Sequence, residues 1–292
     1  MITETPHPRS AQLPRLRWQS QCVLLATVPL VGCWAALAIL SVIGTPRMAW
    51  IAWEALGISI AFAALVFAMR AATLGAAITG GIFTCAICLQ TPGWHTALWP
   101  LLALFLLTHA ATRFGRSRKE QLGIAEAQRG RTASQVAANL GVAVLAGIPE
   151  IAARIVGYPF QRIALLATLA AFAEATADTV SSELGQVLGG EPRMITTFRR
   201  VPPGTDGAIT LLGTFSGSLA ALIVIAVGAF ALAVPRTDAL LAFAAAVVGL
   251  FVDSLLGAIP ERRGWLNNDA VNALSTLAAA AVAVTAASFS RP

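Results

Sequence analysis

The sequence predicts an all-α, polytopic integral-membrane helical bundle, and three observations carry that prediction. Hydrophobic residues make up 57% of the 292 and charged residues only 12%, with a mean hydropathy of +0.74. A soluble domain needs roughly twice that charge to cover its surface. The apolar residues lie in long Ala, Leu, Ile and Val runs without period-2 alternation, which indicates helices and not a β-barrel. About nine of these runs approach the roughly 20 residues needed to cross the hydrocarbon layer.

In chain order, Met1–Gln21 is a polar tail carrying Arg9, Arg15 and Arg17. Cys22–Ile43 is longer than a signal-peptide core and reads as a retained first span. Trp50–Met69 and Ala71–Leu89 follow, divided only by Arg70, so a tight turn or a re-entrant hairpin is expected there. Trp94–His109 is the fourth span. Val136–Gly157 is the fifth, interrupted by Pro149 and Glu150. Ile163–Val180, Ala208–Val234, Ala239–Ile259 and Ala270–Ser288 complete the set. Trp50, Trp53, Trp94 and Trp99 suit interfacial belts.

Charge sets the orientation. With the N-terminus in the cytoplasm, fifteen of the 20 Lys and Arg residues fall on the inner side, Arg70, Arg113, Arg116, Arg118 and Lys119 among them. Arg47, Arg154, Arg162, Arg236 and Arg291 fall outside, and the reverse orientation would invert the bias. The net charge of +6 and pI near 10.1 do not indicate a nucleic-acid partner, because the arginines are scattered over short interhelical loops. Cys22, Cys33, Cys85 and Cys88 lie in apolar runs as small hydrophobes. The Cys85/Cys88 pair has no second pair or neighbouring His to suggest a metal site.

Against this background the intramembrane polar residues stand out. A carboxylate near a bilayer is costly and is retained where it has a partner, a cavity or a task. Glu174 and Asp178 lie one turn apart at the inner end of the sixth span, and Ser181 continues their face. Small neighbours (Ala173, Ala175, Ala177) leave room for a ligand or a close helix. Asp253 lies in the inner half of the eighth span, on a stripe with Gly249 and Gly257. Asn139 and Asn272 lie near the inner ends of the fifth and ninth spans. All five thus share one side and a similar depth. Two neighbouring carboxylates repel, and a divalent cation such as Mg²⁺ removes that cost; an interhelical contact or an Arg partner would also do so.

Two loops add anion-binding features. Arg199-Arg200-Val201-Pro202-Pro203-Gly204-Thr205-Asp206-Gly207 combines charge, stiffness and two glycines able to adopt φ > 0, just before a helix N-terminus. It lacks the Gly-Lys-Ser/Thr ending of a Walker A loop. An ordinary Pro/Gly turn is the alternative. Arg129 to Asn139 is another basic loop leading into a helix, with Gln135 and Asn139 on one face, and also suits anionic lipid heads. Asn268, Asn272 and Thr276 share a face of the last span. Asn267 or Asn268 can cap that helix, whereas Asn272 is too far inside. The histidines, His7, His95 and His109, suggest no mechanism.

Five ordered stretches, RGRTASQVAAN (129–139), AEATADTVSSELG (173–185), ITTFRRVPPGTDGAITLLGT (195–214), GLFVDSLLGA (249–258) and NNDAVNALST (267–276), resemble the transmembrane protein 19 family, also called domain-of-unknown-function family 92. That family includes plant and cyanobacterial phytyl-phosphate kinases. The likeness covers roughly 73–288, so residues 1–70 read as a basic tail with two extra helices and 71–292 as the catalytic membrane body. The chain departs from the family pattern at Pro260 and at Glu261, where Gln is frequent.

The resemblance implies a prenyl-phosphate kinase that moves a phosphoryl group from a nucleoside triphosphate (CTP or ATP) to an isoprenoid monophosphate in the cytoplasmic membrane of a bacterium. On that view Glu174, Asp178 and Asp253 hold Mg²⁺ or another divalent cation. Arg131, Arg199, Arg200 and Lys119 grip phosphates. Gly204, Thr205, Asp206 and Gly207 cradle one phosphate with Asn268, and Asn139 and Asn272 orient substrate. The remaining alternatives are a transporter or flippase of a phosphorylated lipid or small anion, and a lipid-phosphate cytidylyltransferase. No clear internal repeat of the transporter kind is present.

Overall fold

The computed structural model describes residues 16–121, 130–156 and 161–289, with side chains at 16–121, 130–148 and 161–289. Arg9 and Arg15 of the tail, Arg129 of the basic loop, the side chain of Arg154, Arg291 and the Gly157 end of the fifth expected span lie outside what is described. The architecture is an all-α bundle with one two-residue hairpin. In order come α1 (Arg17–Ile43), α2 (Ala49–Ala68), α3 (Leu74–Gln90), α4 (Leu98–Arg113), the short α5 (Arg116–Gln121), α6 (Ala133–Val156) and α7 (Gln161–Leu188). Then follow β1 (Arg193–Met194), β2 (Ala208–Ile209), α8 (Leu211–Ala231), α9 (Arg236–Leu256) and α10 (Asn268–Phe289). Strands β1 and β2 pair antiparallel, Arg193 with Ile209 and Met194 with Ala208.

Six helices are long and apolar enough to cross a membrane: α1, α2, α7, α8, α10 and α9 with its extension to Glu261. Leu74–Gln90, Leu98–Arg113 and Ala133–Ile148 are shorter apolar helices. Helix α7 is the axis of the bundle and packs against α4, α6, α8, α9 and α10. Its small residues make this possible: Ala170, Ala171, Ala173 and Ala177 are all fully buried. A Cβ on Gly217 of α8 would stand 2.5 Å from Ala177 O, so α8 rides directly on the α7 backbone. By contrast α1 and α2 present Leu25, Leu37, Leu40, Trp53 and Ile60 outward, as lipid-facing helices do.

Several boundaries moved from their expected places. The α2–α3 connection is a tight turn: Arg70 takes φ +54° and Thr73 caps α3 by accepting from Ala76 N. This turn is clamped to the approach to α6, with Arg131 N donating to Ala71 O and Thr73 N donating to Arg131 O. Helix α4 starts at Leu98, later than Trp94, because Pro100 occupies its first turn and the preceding loop is pinned by its own polar groups. In that loop His95 bonds Ala231 O and Ala97 N donates to Thr91 Oγ1. The α6 backbone continues through Pro149. Helix α7 runs on past Val180 to Leu188, since Glu183 and Gly185 are buried against the neighbouring elements.

The first helix is tied to the body. Gln19 Nε2 donates to Trp265 O, Asn267 N donates to Gln19 Oε1, and Asn267 Nδ2 donates to Ser20 Oγ. Val31, Ala35 and Ala55 share one buried cluster with Phe83, Phe172 and Ala245.

Candidate functional site

One end of the bundle holds a polar cavity of about 520 Å³. Five elements reach it. Helix α6 supplies Asn139, with Arg131 and Gln135 just before and at its start; α7 supplies Asp178, Ser181 and Glu183; α9 supplies Asp253. Helix α10 supplies Asn268, Asp269 and Asn272, and the loop before β2 supplies Gly204, Thr205, Asp206 and Gly207. The antiparallel alternation of α6, α7, α8, α9 and α10 brings together starts and ends that are far apart in sequence. The amide pair is direct: Asn272 Nδ2 donates to Asn139 Oδ1 over 3.1 Å, both side chains being buried.

The loop wall depends on two glycines. Gly204 and Gly207 take φ +83° and +73°, which only glycine adopts without strain. Gly207 also lies against the backbone of Ala258, and a Cβ on Gly257 would stand 2.8 Å from Gly207 N. Gly257–Glu261 is a π-helical turn continuing α9, with Pro260 inside it. Such turns are often found at functional sites, and here it brings Glu261 to the cavity. Thr210 caps α8 by accepting from Gly213 N over 3.0 Å.

Glu174 is placed differently from its neighbours. It is 1% exposed and does not line the cavity; it lies one turn further in, beneath the wall. Gly249 makes its room, since a Cβ there would be 2.6 Å from Glu174 Cγ and 2.8 Å from Ala279 Cβ. Glu174 and Asp253 both face Ser275, and each is within electrostatic reach of Asp178.

Three of the anticipated phosphate ligands do not line this cavity. Arg199 and Arg200 are exposed on the hairpin and do not line the cavity, and Arg200 Nη1 pairs with Glu191 Oε2 at 2.6 Å. They follow one another into the glycine loop in sequence, but the chain turns between. Lys119 is buried in a 2.6 Å ion pair with Glu183 and donates to Ala111 O and Thr112 O. Arg131 does reach the cavity, with Nη2 3.4 Å from Thr179 Oγ1.

The resulting wall is acidic. Asp178, Glu183, Asp206, Asp253, Glu261 and Asp269 line it, against one lining cation, Arg131, among the described residues. Asp269 and Glu261 were not among the anticipated site residues. Asp269 reads as an ordinary first-turn acid of a helix, yet it is 1% exposed with both oxygens lacking a hydrogen bond. Glu174 Oε1 and Asp253 Oδ2 are likewise buried without a partner. Buried carboxylate oxygens left unbonded are costly. They fit the ligand preference of a hard divalent cation. Among the described residues no three His, Cys, Asp or Glu side chains form a ready-made metal centre. Mg²⁺ does not require one, since it is commonly held by one or two carboxylates together with substrate phosphates.

A family model described as integral membrane protein DUF92 matches residues 57–280. An uncharacterized membrane protein of Methanocaldococcus jannaschii, MJ0933, is 36% identical over 184 residues, covering 63% of this chain and 73% of that one. The uncharacterized membrane protein sll0875 of Synechocystis is 32% identical over 194 residues, 66% of this chain and 74% of its own. Protein VTE6, chloroplastic, of Arabidopsis thaliana is 29% identical over 229 residues, 75% of this chain and 68% of its own. No solved structure matches.

Proposed function

The chain belongs to the integral membrane DUF92 family, which includes phytyl-phosphate kinases, and on that footing we propose that it is a prenyl-phosphate kinase. Its reaction takes the γ-phosphoryl group of a nucleoside triphosphate, CTP or ATP, onto an isoprenoid monophosphate. An oxygen of the acceptor phosphate bonds to the γ-phosphorus. The bond to the β–γ bridging oxygen breaks, and the nucleoside diphosphate leaves with that electron pair. The acceptor is already anionic at neutral pH, so little base help is needed, and positioning with charge neutralisation dominates.

One observation carries the reading: the acidic wall built from Asp178, Asp253 and Asp269 beside buried amides and a glycine loop. A triphosphate is repelled by such a wall unless cations enter with it. Asp178, Asp253 and Asp269 would hold the divalent cation, with Glu174 behind them. When bound, that cation neutralises charge on the phosphates. Arg131 balances the acceptor phosphate from the opposite side. Asn139 and Asn272, bonded to each other, keep α6 and α10 in register and present their remaining amide atoms to the cavity. The Gly204–Gly207 backbone closes over a phosphate.

The assay is transfer from γ-labelled CTP or ATP to geranylgeranyl or phytyl monophosphate by the purified protein in nanodiscs, with and without Mg²⁺. Turnover should require the cation, and Asp178→Asn or Asp253→Asn should lower it ~100-fold or more. Transfer that persists undiminished in both variants would remove the metal roles. Substrate flux without nucleotide would remove the kinase reading.

A further inference from the structure

A second cavity, of about 350 Å³, adjoins the first, and Arg131 and Asn139 line both. Its size is within the range of small-molecule sites. It lies between α2, α3, α4 and α6 and has two zones. Phe62, Val66, Leu101, Leu104 and Phe105 line an apolar part, whereas Arg70, Arg113 and Arg131 stand in the polar part. Among the described residues no Asp or Glu lines this cavity. This is the reverse of the acidic cavity next door.

Two of these three guanidinium residues are tethered without a carboxylate partner among the described residues. Arg113 Nη2 donates to Met69 O over 3.2 Å, and the Arg131 backbone is bonded on both sides to the α2–α3 turn. Arg116 and Lys119 also line the cavity, but they pair with Glu120 and Glu183. Among the described residues no carboxylate forms an ion pair with Arg70, Arg113 or Arg131. His109 adds a further polar group. Its ring stacks on Phe105 at 5.5 Å, and its Nε2 is buried with no hydrogen-bond partner. Three guanidiniums and a buried unbonded ring nitrogen beside an apolar chamber call for a ligand with an anionic head and a hydrocarbon tail.

We infer that this second cavity is the acceptor site, holding a lipid monophosphate with its phosphate among Arg70, Arg113, Arg131 and His109 and its tail between Phe62, Leu101, Leu104 and Phe105. The inference rests on the kinase reading for the identity of the ligand as acceptor. Its consequence is a division of labour: the acidic cavity takes the cation-bearing nucleotide, the basic one takes the lipid, and they meet at Arg131 and Asn139. Leu101 and Leu104 then set the accepted tail length.

The test uses the full chain in phosphatidylcholine nanodiscs. Geranylgeranyl monophosphate, geranyl monophosphate and inorganic phosphate are titrated without nucleotide or Mg²⁺, and KM for the two lipids is then measured with both present. Geranylgeranyl monophosphate should bind tightly and inorganic phosphate weakly. Arg113→Gln should weaken binding and raise KM about tenfold or more, the loss of one charge-assisted contact. Leu104→Trp should narrow the chamber and shift preference toward geranyl over geranylgeranyl monophosphate by about tenfold. Should Leu104→Trp not fold, Ala76→Leu fills the same chamber. An active enzyme whose Arg113→Gln and chamber-filling variants keep wild-type KM and tail preference overturns the inference and leaves the kinase standing. Equal affinity for inorganic phosphate overturns it too. Lipid binding that responds to both substitutions without any phosphoryl transfer supports the site and overturns the kinase.

Discussion

At the residue scale, burial decides which charged groups are structural and which are open to chemistry. Lys119 and Glu183 are 2% and 9% exposed along their side chains and pair at 2.6 Å, so each is the other's counter-charge. Removing one partner of such a pair leaves an uncompensated buried charge, a cost of about 3–5 kcal/mol. Lys119→Met should therefore lower the melting temperature sharply, and adding Glu183→Gln should recover much of the loss. A Lys119→Met protein that melts like the wild type but binds lipid phosphate poorly would return Lys119 to the ligand set. Asp269 is the opposite case, with both oxygens buried and unbonded at the cavity wall. Asp269→Asn should raise the Mg²⁺ concentration needed for half-maximal turnover, whereas a purely structural acid would leave that midpoint unchanged.

At the element scale, the site is built by close approach. The Gly204–Gly207 loop is fixed against the π-helical turn at Gly257, backbone to backbone. Gly207→Ala adds a methyl where φ is +73° and where Ala258 already fills the space. It should cost about 2 kcal/mol or more in stability and lower turnover more than Gly190→Ala. Gly190 has a positive φ but open space for a Cβ, so it controls for backbone strain alone. How far sequence could foresee these contacts varies by element. The apolar runs disclosed the helices, because lipid forces each backbone to satisfy itself. Asn139, Asp178, Asp253 and Asn272 could be foreseen at one level because all four are polar groups in apolar runs. Arg199 and Arg200 could not be placed, because proximity to the glycine loop along the chain is undone by the β1–β2 hairpin. The π-helical turn has no periodic signature of its own. The continuation of α7 was hidden because Ser181-Ser182-Glu183 reads as polar loop until its buried partners are known.

At the scale of the whole molecule, the two ends of the bundle do different work. The end opposite the cavity is closed by Arg162, whose Nε and Nη2 donate to Asp238 at 2.7 Å each and whose Nη1 donates to Ala287 O. That fork ties the start of α7 to the start of α9 and the end of α10. Asp238→Ala should therefore destabilise by about 2 kcal/mol while leaving KM for lipid phosphate unchanged. The cavity end carries the start of α1 as well, through the Gln19–Asn267 contacts. On the positive-inside expectation the cavity opens to the cytoplasm, where nucleoside triphosphates are abundant. Single cysteines at Thr205 and Trp94, in a protein with its four native cysteines replaced by alanine, test this with a membrane-impermeant thiol reagent. Thr205→Cys should be labelled only in inside-out vesicles and Trp94→Cys only in right-side-out ones. The reverse pattern would put the acidic cavity outside the cell, away from nucleotide, and phosphoryl transfer would have no donor there.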